Sequence, residues 1–164
     1  MAINHGSTIV LKDMLCLFDA VNTRSYSGSG SIWYNLLADA NHGTLVSSPT
    51  FSATYPSTFT FDGTAKYISL GNIQGGQADY TWSAWIKTTT TVNKTYVYNA
   101  NIVVGTLQTF GDSNDVITAV NNGKFCYRDE SALLQNYRID SNKTVNDGVW
   151  HYVAAGKDSN GSIK

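Results

Sequence analysis

The chain has 164 residues, which is the length of one ordinary domain. Serine, threonine, asparagine and glycine contribute 16, 18, 15 and 14 residues, whereas glutamate occurs once, at Glu130. Strong helix formers are therefore scarce, which excludes a helical bundle or a coiled coil. Eleven basic and twelve acidic residues give a net charge of −1 with no run of like charge. The clustered basic face of a nucleic-acid binder is missing, so we expect no nucleic-acid partner.

The start of the chain lacks the apolar core of a signal peptide, because Asn4, His5 and Gly6 interrupt it. No stretch approaches the ~20 apolar residues of a membrane span. We therefore expect a soluble protein, made in a cytoplasm and without membrane insertion. Cys16 and Cys126 each lie in an apolar segment, and we predict that both are free thiols that pack as small hydrophobic residues.

Strand-like runs separated by turn residues recur along the chain. Residues 14–20 form the first apolar run, and a short helical turn is an open possibility near Trp33. Residues 58–62 and 66–71 flank Asp62-Gly63, which predicts a tight connection between two strands. These patterns favour β structure in the first half of the chain.

The second half has the clearer signals. Residues 80–88 alternate, so that Tyr80, Trp82, Ala84 and Ile86 share one face, as in a half-buried strand. Asn121-Asn122-Gly123 between two apolar runs predicts a hairpin with a type I′ turn. Residues 149–156 are apolar on both faces, which is typical of a central strand covered on two sides.

The end of the chain predicts another hairpin turn, at Asp158-Ser159-Asn160-Gly161. Only Ser162, Ile163 and Lys164 follow it, and three residues are too few to pair with the strand before the turn. We expect that the sheet is completed by chain beyond residue 164 or by another chain; the alternative is a short natural terminus.

Short strands at this spacing predict an all-β antiparallel sandwich. Six segments in this order also resemble the concanavalin A-like lectin/glucanase superfamily, in the laminin-G-like form found in bacteriophage structural proteins. They are Leu15-Cys16-Leu17-Phe18-Asp19-Ala20, Tyr26-Ser27-Gly28-Ser29-Gly30 with Trp33-Tyr34, Asn41-His42-Gly43-Thr44-Leu45, Phe61-Asp62-Gly63 with Tyr67-Ile68, Tyr80-Thr81-Trp82-Ser83-Ala84-Trp85-Ile86, and Asn146-Asp147-Gly148-Val149-Trp150-His151-Tyr152-Val153-Ala154.

The resemblance implies a two-sheet antiparallel jelly-roll sandwich of the concanavalin A-like kind. It also implies one or more closing strands after residue 164. We accordingly predict an N-terminal extension over residues 1–13 and a C-terminally incomplete jelly roll over residues 14–164.

Glycosidase chemistry, which the glucanase branch of the resembling superfamily performs, needs two converging carboxylates. Glu130 is the single glutamate, and Asp129 beside it points to the opposite face of an extended strand. The other close pair, Asp112 and Asp115, lies in a turn-like segment. We therefore predict no enzymatic activity and no catalytic residues.

The three histidines are His5, His42 and His151, and their spacing matches no zinc signature. The Trp150-His151 pair resembles a framework feature of the family, so we expect His151 to have a packing role. Family members often bind calcium in the loop after the Phe-Asp-Gly turn, which makes Asp62 a weak calcium candidate. Ala65 and Lys66 replace acidic or amide residues there, and Asp62 is more simply read as accepting hydrogen bonds from its own turn.

Glycan binding without calcium needs an exposed aromatic ring and nearby amides or carboxylates. Candidate residues occur in one group of tyrosines with neighbouring asparagines, namely Tyr96, Tyr98 and Tyr137 with Asn99, Asn101 and Asn136. Tyrosine is also common on ordinary sheet surfaces, so no single residue is assigned to a glycan site.

The leading expectation is a non-enzymatic structural or adhesion module of a bacteriophage virion: a head (capsid) decoration, a fibre or a tail component. Its partners would be other virion proteins or copies of itself. A host-surface glycan stays open as a further partner. The alternative is a free-standing soluble bacterial lectin that binds carbohydrate, and a glycoside hydrolase is third. No cofactor is expected apart from calcium at Asp62.

Overall fold

The computed structural model describes residues 12–71, 73, 79–94, 101–105, 116–129, 137–160 and 162. All regular elements in these segments are strands, and every strand pair is antiparallel. The all-β prediction is therefore confirmed. The chain divides into two compact units, Met1–Gly75 and Gly76–Lys164. The predicted boundaries of an extension at 1–13 and one jelly roll at 14–164 stay a prediction.

The first unit contains five short strands, which form one sheet in the order β1-β2-β5 and one β3–β4 pair. They are β1 (Ile32–Trp33), β2 (Gly43–Val46), β3 (Thr50–Ser52), β4 (Thr58–Thr60) and β5 (Tyr67–Ser69). An aromatic cluster packs inside this unit: Tyr26 contacts Phe51 and Phe59, and Trp33 contacts Phe18 and Phe59, with ring centroids 4.9–5.3 Å apart. Trp33 thus lies in a strand, and the open helical turn does not form there.

The strand expected over residues 14–20 is absent, because this segment satisfies its backbone groups without a strand partner. The N–H of Leu17 donates to Asn35 Oδ1 at 3.0 Å, and the Leu17 carbonyl accepts from Leu36. The N–H of Asp19 donates to Ser25 Oγ at 3.2 Å. Side-chain oxygens of Asn35 and Ser25 and the backbone N–H of Leu36 thus pair with backbone groups that a neighbouring strand would otherwise bind.

The second unit contains a four-stranded sheet in the order β10-β9-β8-β7 and a two-stranded β11–β6 sheet. Its strands are β6 (Tyr80–Ile86), β7 (Asn101–Gly105), β8 (Val116–Asn121), β9 (Lys124–Asp129), β10 (Tyr137–Thr144) and β11 (His151–Lys157). Val120, Phe125, Tyr127 and Val145 form a core with Val153 and Ala155 of β11, so the two sheets pack face to face. The alternation predicted for β6 is confirmed: Tyr80, Trp82, Ala84 and Ile86 are its more buried residues.

The predicted hairpin at Asn121-Asn122-Gly123 is confirmed. Asn121 pairs with Lys124, so Asn122 and Gly123 form the two-residue loop, with φ values of 51° and 74°. Both residues have the positive φ that a type I′ turn requires.

Burial on both faces occurs on β8 rather than on β11, where the sequence predicted it. Ile117, Ala119 and Cys126 are fully buried on the face opposite the core that Val120 and Tyr127 form. On β11, Tyr152 and Ala154 are exposed. The prediction that β11 is buried on both faces, which was based on its apolar residues alone, is therefore wrong.

Two predicted turns are confirmed. The Asp62-Gly63 connection is a tight turn, with φ of 72° at Gly63. The two strands that this turn connects do not pair with each other: β4 pairs with β3, and β5 pairs with β2. At Asp158 the backbone N–H donates to the Ser162 carbonyl at 3.0 Å, which closes the second turn.

A membrane-crossing helix, which has to be long and apolar, does not occur in the described segments.

Candidate functional site

An open cavity of about 300 Å³ lies in the first unit. The loop between β1 and β2 supplies most of its lining, and Arg24 contributes from an earlier turn. Tyr34, Asp39 and His42 provide further polar or aromatic groups, and Leu36 and Leu37 provide apolar surface. The volume is at the lower end of the range of about 300–1,000 Å³ that is typical of small-molecule sites.

Asn35 fixes the shape of this loop. It is buried, and its Oδ1 accepts from the N–H groups of Leu17 and Leu37 at 3.0 and 3.1 Å. Its Nδ2 donates to the Ala40 carbonyl at 3.3 Å. One amide side chain therefore joins two segments of backbone, the one at Leu17 and the β1–β2 loop, and both of its polar atoms are hydrogen-bonded.

His42 is held in one orientation by three neighbours. Its Nδ1 accepts from the backbone N–H of Asn35 at 3.2 Å, which leaves the proton of the neutral ring on Nε2. Nε2 is 3.4 Å from Asp39 Oδ1. The ring meets that of Tyr34 edge to face, with centroids 4.9 Å apart. His42, which the sequence assigned to no site, is thus part of the cavity wall.

Three groups of the cavity remain open to a ligand. The Tyr34 side chain is half exposed, and Asp39 is fully exposed. Among the described residues, the guanidinium of Arg24 makes no ion pair and the Tyr34 hydroxyl makes no hydrogen bond. An aromatic face, a cationic donor and an anionic acceptor are therefore presented together.

The second unit presents an exposed aromatic surface on the outer face of β6 and β11. Trp85 and Tyr152 are directly opposite each other and are 66% and 60% exposed, with ring centroids 5.4 Å apart. Ser83 and Ala154, the next exposed pair, are small. Trp150, just before β11, is also exposed. Exposed aromatic residues of this kind mark interaction surfaces in other proteins.

The Asp62 carboxylate accepts hydrogen bonds from its own turn, as the sequence predicted. Its Oδ1 accepts from the N–H groups of Thr64, Ala65 and Lys66 at 2.9, 3.0 and 3.0 Å. These hydrogen bonds, that of Lys66 first, hold the pKa of Asp62 far below its ordinary value of 3.8. The Lys66 ammonium turns to Thr50 Oγ1 at 3.3 Å. Among the described residues no group of three or more acidic, histidine or cysteine side chains comes together, and calcium at Asp62 stays a prediction.

His151 contacts the turn before its own strand. Its Nε2 is 2.8 Å from Asp147 Oδ1, which also accepts from the N–H of Val149 at 3.1 Å. The hydrogen bond from His151 is the main reason why the pKa of Asp147 lies below its ordinary value. The half-buried ring therefore secures the turn at Asp147, in line with the framework role that the sequence suggested.

Both cysteines are free. Cys126 is fully buried, and burial raises the pKa of its thiol to about 11. Cys16 is half-buried, and its pKa is raised for the same reason. The prediction of free thiols that pack as hydrophobic residues is confirmed.

Several sequence candidates lie outside the described residues, namely His5, Tyr96, Tyr98, Asn99, Asp112, Asp115, Glu130 and Asn136. Asn101 and Tyr137 begin β7 and β10, and Asp129 ends β9. The cavity residues were not assigned to a glycan site from sequence. The sequence offered one indication of this site: Tyr34, Asp39 and His42 all lie in a single stretch of nine residues that contains no glycine.

Comparison of the chain with protein-family models, with curated proteins and with solved structures finds no match. The resemblance to the laminin-G-like, concanavalin A-like superfamily therefore stays a prediction.

Proposed function

We propose that the chain is a non-enzymatic structural or adhesion module of a bacteriophage virion, located on the particle as a head decoration, fibre or tail component. Its partners are other virion proteins or further copies of the chain. The finer fold belongs to the same proposal: a two-sheet jelly roll, of which the described sheets are parts.

The observation that carries the proposal is the exposed Trp85–Tyr152 pair. An exposed tryptophan costs free energy in water, since burying a large apolar side chain gains about 1.5–3 kcal/mol. Here tryptophan and tyrosine lie side by side on an outer sheet face, with the small pair Ser83 and Ala154 on one side of them. Two neighbouring exposed aromatic rings give a module the contact area that it needs to adhere to a partner.

A binding role agrees better than catalysis with the described acidic residues. Asp62, Asp147 and Asp158 each accept backbone N–H groups of their own turns. Asp140 is paired with Arg138 through two hydrogen bonds of 2.6 and 3.1 Å. These carboxylates stabilise turns and strands, whereas a glycosidase needs two that converge on one scissile bond.

The test is a Trp85→Ser, Tyr152→Ser double variant of the full chain, compared with Tyr55→Ser. Tyr55 is also strongly exposed but lies in the other unit. We expect the unaltered chain to associate with itself in light scattering, or to co-sediment with purified phage particles. The double variant should lose this association, and Tyr55→Ser should keep it.

A monomeric chain that is absent from particles would overturn the virion role. Equal loss of association in Tyr55→Ser would overturn the part assigned to the β6–β11 face. The thermal stability of the variants separates these results from misfolding, because exposed cross-strand pairs contribute only about 0.2–1 kcal/mol.

A free-standing bacterial lectin is the second candidate, and the cavity of the first unit favours it. Binding to a defined saccharide without any association with particles would select this function.

A further inference from the structure

We infer that the cavity of the first unit binds a neutral sugar ring, and that it does so without a metal ion. The inference rests on the lectin alternative of the proposed function, which it deepens by naming the ligand class and the site. It depends on Arg24, Tyr34 and Asp39 and on no residue of the Trp85–Tyr152 surface.

The cavity wall is set before a ligand arrives. Asn35 is buried and makes three hydrogen bonds to backbone groups of Leu17, Leu37 and Ala40. His42 is fixed by the Asn35 N–H and by its edge-to-face contact with Tyr34. A preformed site loses little entropy on binding, which matters for a small ligand with few contacts.

The charges of the cavity exclude several ligand classes. Arg24 brings one positive charge and Asp39 one negative charge, so an anion would meet a carboxylate at the same cavity. A purely apolar ligand would bury the Arg24 guanidinium without an ion-pair partner and would leave Asp39 with His42 Nε2 alone. A divalent cation would find one carboxylate, and His42 Nδ1 already accepts a hydrogen bond.

A neutral polyhydroxylated ring satisfies all of these groups. Each hydroxyl both donates and accepts, so neighbouring hydroxyls can donate to Asp39 and accept from Arg24. The Tyr34 ring offers an aromatic face, and its hydroxyl adds a further donor and acceptor. A cavity of about 300 Å³ holds a ligand of monosaccharide size.

The experiment is an amide NMR titration of the full chain in the presence of EDTA. The probes are the methyl glycosides of glucose, galactose, mannose and N-acetylglucosamine, with N-acetylneuraminic acid as the anionic comparison. We expect at least one neutral glycoside to shift the resonances of Tyr34, Asp39 and His42, with a dissociation constant on the order of 1 mM.

Three variants make the test specific. Tyr34→Ala should weaken binding about tenfold through loss of the aromatic contact. Asp39→Asn should weaken it as well, because the carboxylate is the stronger acceptor. Tyr67→Ala is the matched control, since Tyr67 is an exposed tyrosine of the same unit outside the cavity, and it should bind as the unaltered chain does.

Absence of shifts with every neutral glycoside would overturn the inference, as would binding of N-acetylneuraminic acid alone. Equal weakening by Tyr34→Ala and Tyr67→Ala would show that the cavity is not the site. Each of these results leaves the adhesion role of the Trp85–Tyr152 surface intact, and that role fails only in the association experiment.

Discussion

Buried amide and hydroxyl groups cross-link this protein internally, in addition to the carboxylates that hold its turns. Ser25 is fully buried, and its Oγ donates to the Tyr34 carbonyl at 2.7 Å and accepts from Asp19. Thr118 Oγ1 donates to the Val104 carbonyl and accepts from the Val104 N–H, at 2.7 and 3.0 Å. The high content of serine, threonine and asparagine therefore includes internal cross-links as well as surface residues.

Asn121 gives the strongest test of this principle. It is 1% exposed, and its side chain accepts from the Lys94 N–H and donates to the Lys94 carbonyl at 2.8 and 2.7 Å. Asn121→Ala should lower the free energy of unfolding by about 2–4 kcal/mol, because it leaves partly buried backbone groups without partners. Asn142→Ala, at an exposed position of β10, should change it by less than about 0.5 kcal/mol. Urea unfolding measures both, and similar small losses would contradict the prediction.

Asp62 should make the free energy of unfolding fall at acidic pH. Its pKa in the folded state lies far below the ordinary 3.8, so its carboxylate stabilises the fold fully above that pH. The contribution is lost progressively as the pH falls below 3.8, because the unfolded chain then takes up a proton at Asp62 while the folded chain, with its lower pKa, still holds the carboxylate ionised. Asp62→Asn keeps an acceptor oxygen but does not titrate. The difference between the urea midpoints of the two proteins should therefore change below pH 3.8, and a constant difference would contradict this assignment.

At the level of elements, local patterns predicted local structures and failed where a distant residue intervenes. The alternation of β6 and the Asn-Gly turn are properties of a few adjacent residues, and both were predicted correctly. The apolar run at 14–20 forms no strand because Asn35, 18 positions from Leu17, takes its N–H. The cavity depends on the same amide. The periodicity of apolar residues in a sequence does not indicate which backbone groups a distant side chain such as Asn35 will bind.

The turn between β8 and β9 should tolerate little change at Gly123. Its φ is 74°, and an added Cβ would lie 2.7 Å from Asn146 Oδ1. Gly123→Ala should therefore destabilise the fold by about 1–3 kcal/mol, through backbone strain and the displaced Asn146 side chain. Asn122→Gly, at the adjacent position with φ of 51°, should have an effect below about 0.5 kcal/mol, because glycine accepts this conformation freely. Thermal unfolding distinguishes the two variants, and equal effects would contradict the assigned turn.

At the level of the whole molecule, each unit has its own core and its own exposed feature. An aromatic cluster around Tyr26 and Phe59 fills the first unit, and a mixed core around Val120, Tyr127 and Val153 fills the second. The composition gave no indication of this division. The cavity belongs to the first unit and the Trp85–Tyr152 surface to the second.

The low charge of the chain sets the salt dependence of its interactions. The net charge is −1, and of the three arginines Arg138 is already paired with Asp140. Contacts through Trp85 and Tyr152 are apolar, so association through them should be unchanged between roughly 0.05 and 0.5 M NaCl, which screens only charges. Fluorescence anisotropy with a short DNA duplex should show no binding even at the lower salt concentration. Affinity for the duplex tighter than about 10⁻⁴ M, falling steeply as salt rises, would reveal a phosphate-binding surface and contradict the expectation that the chain has no nucleic-acid partner.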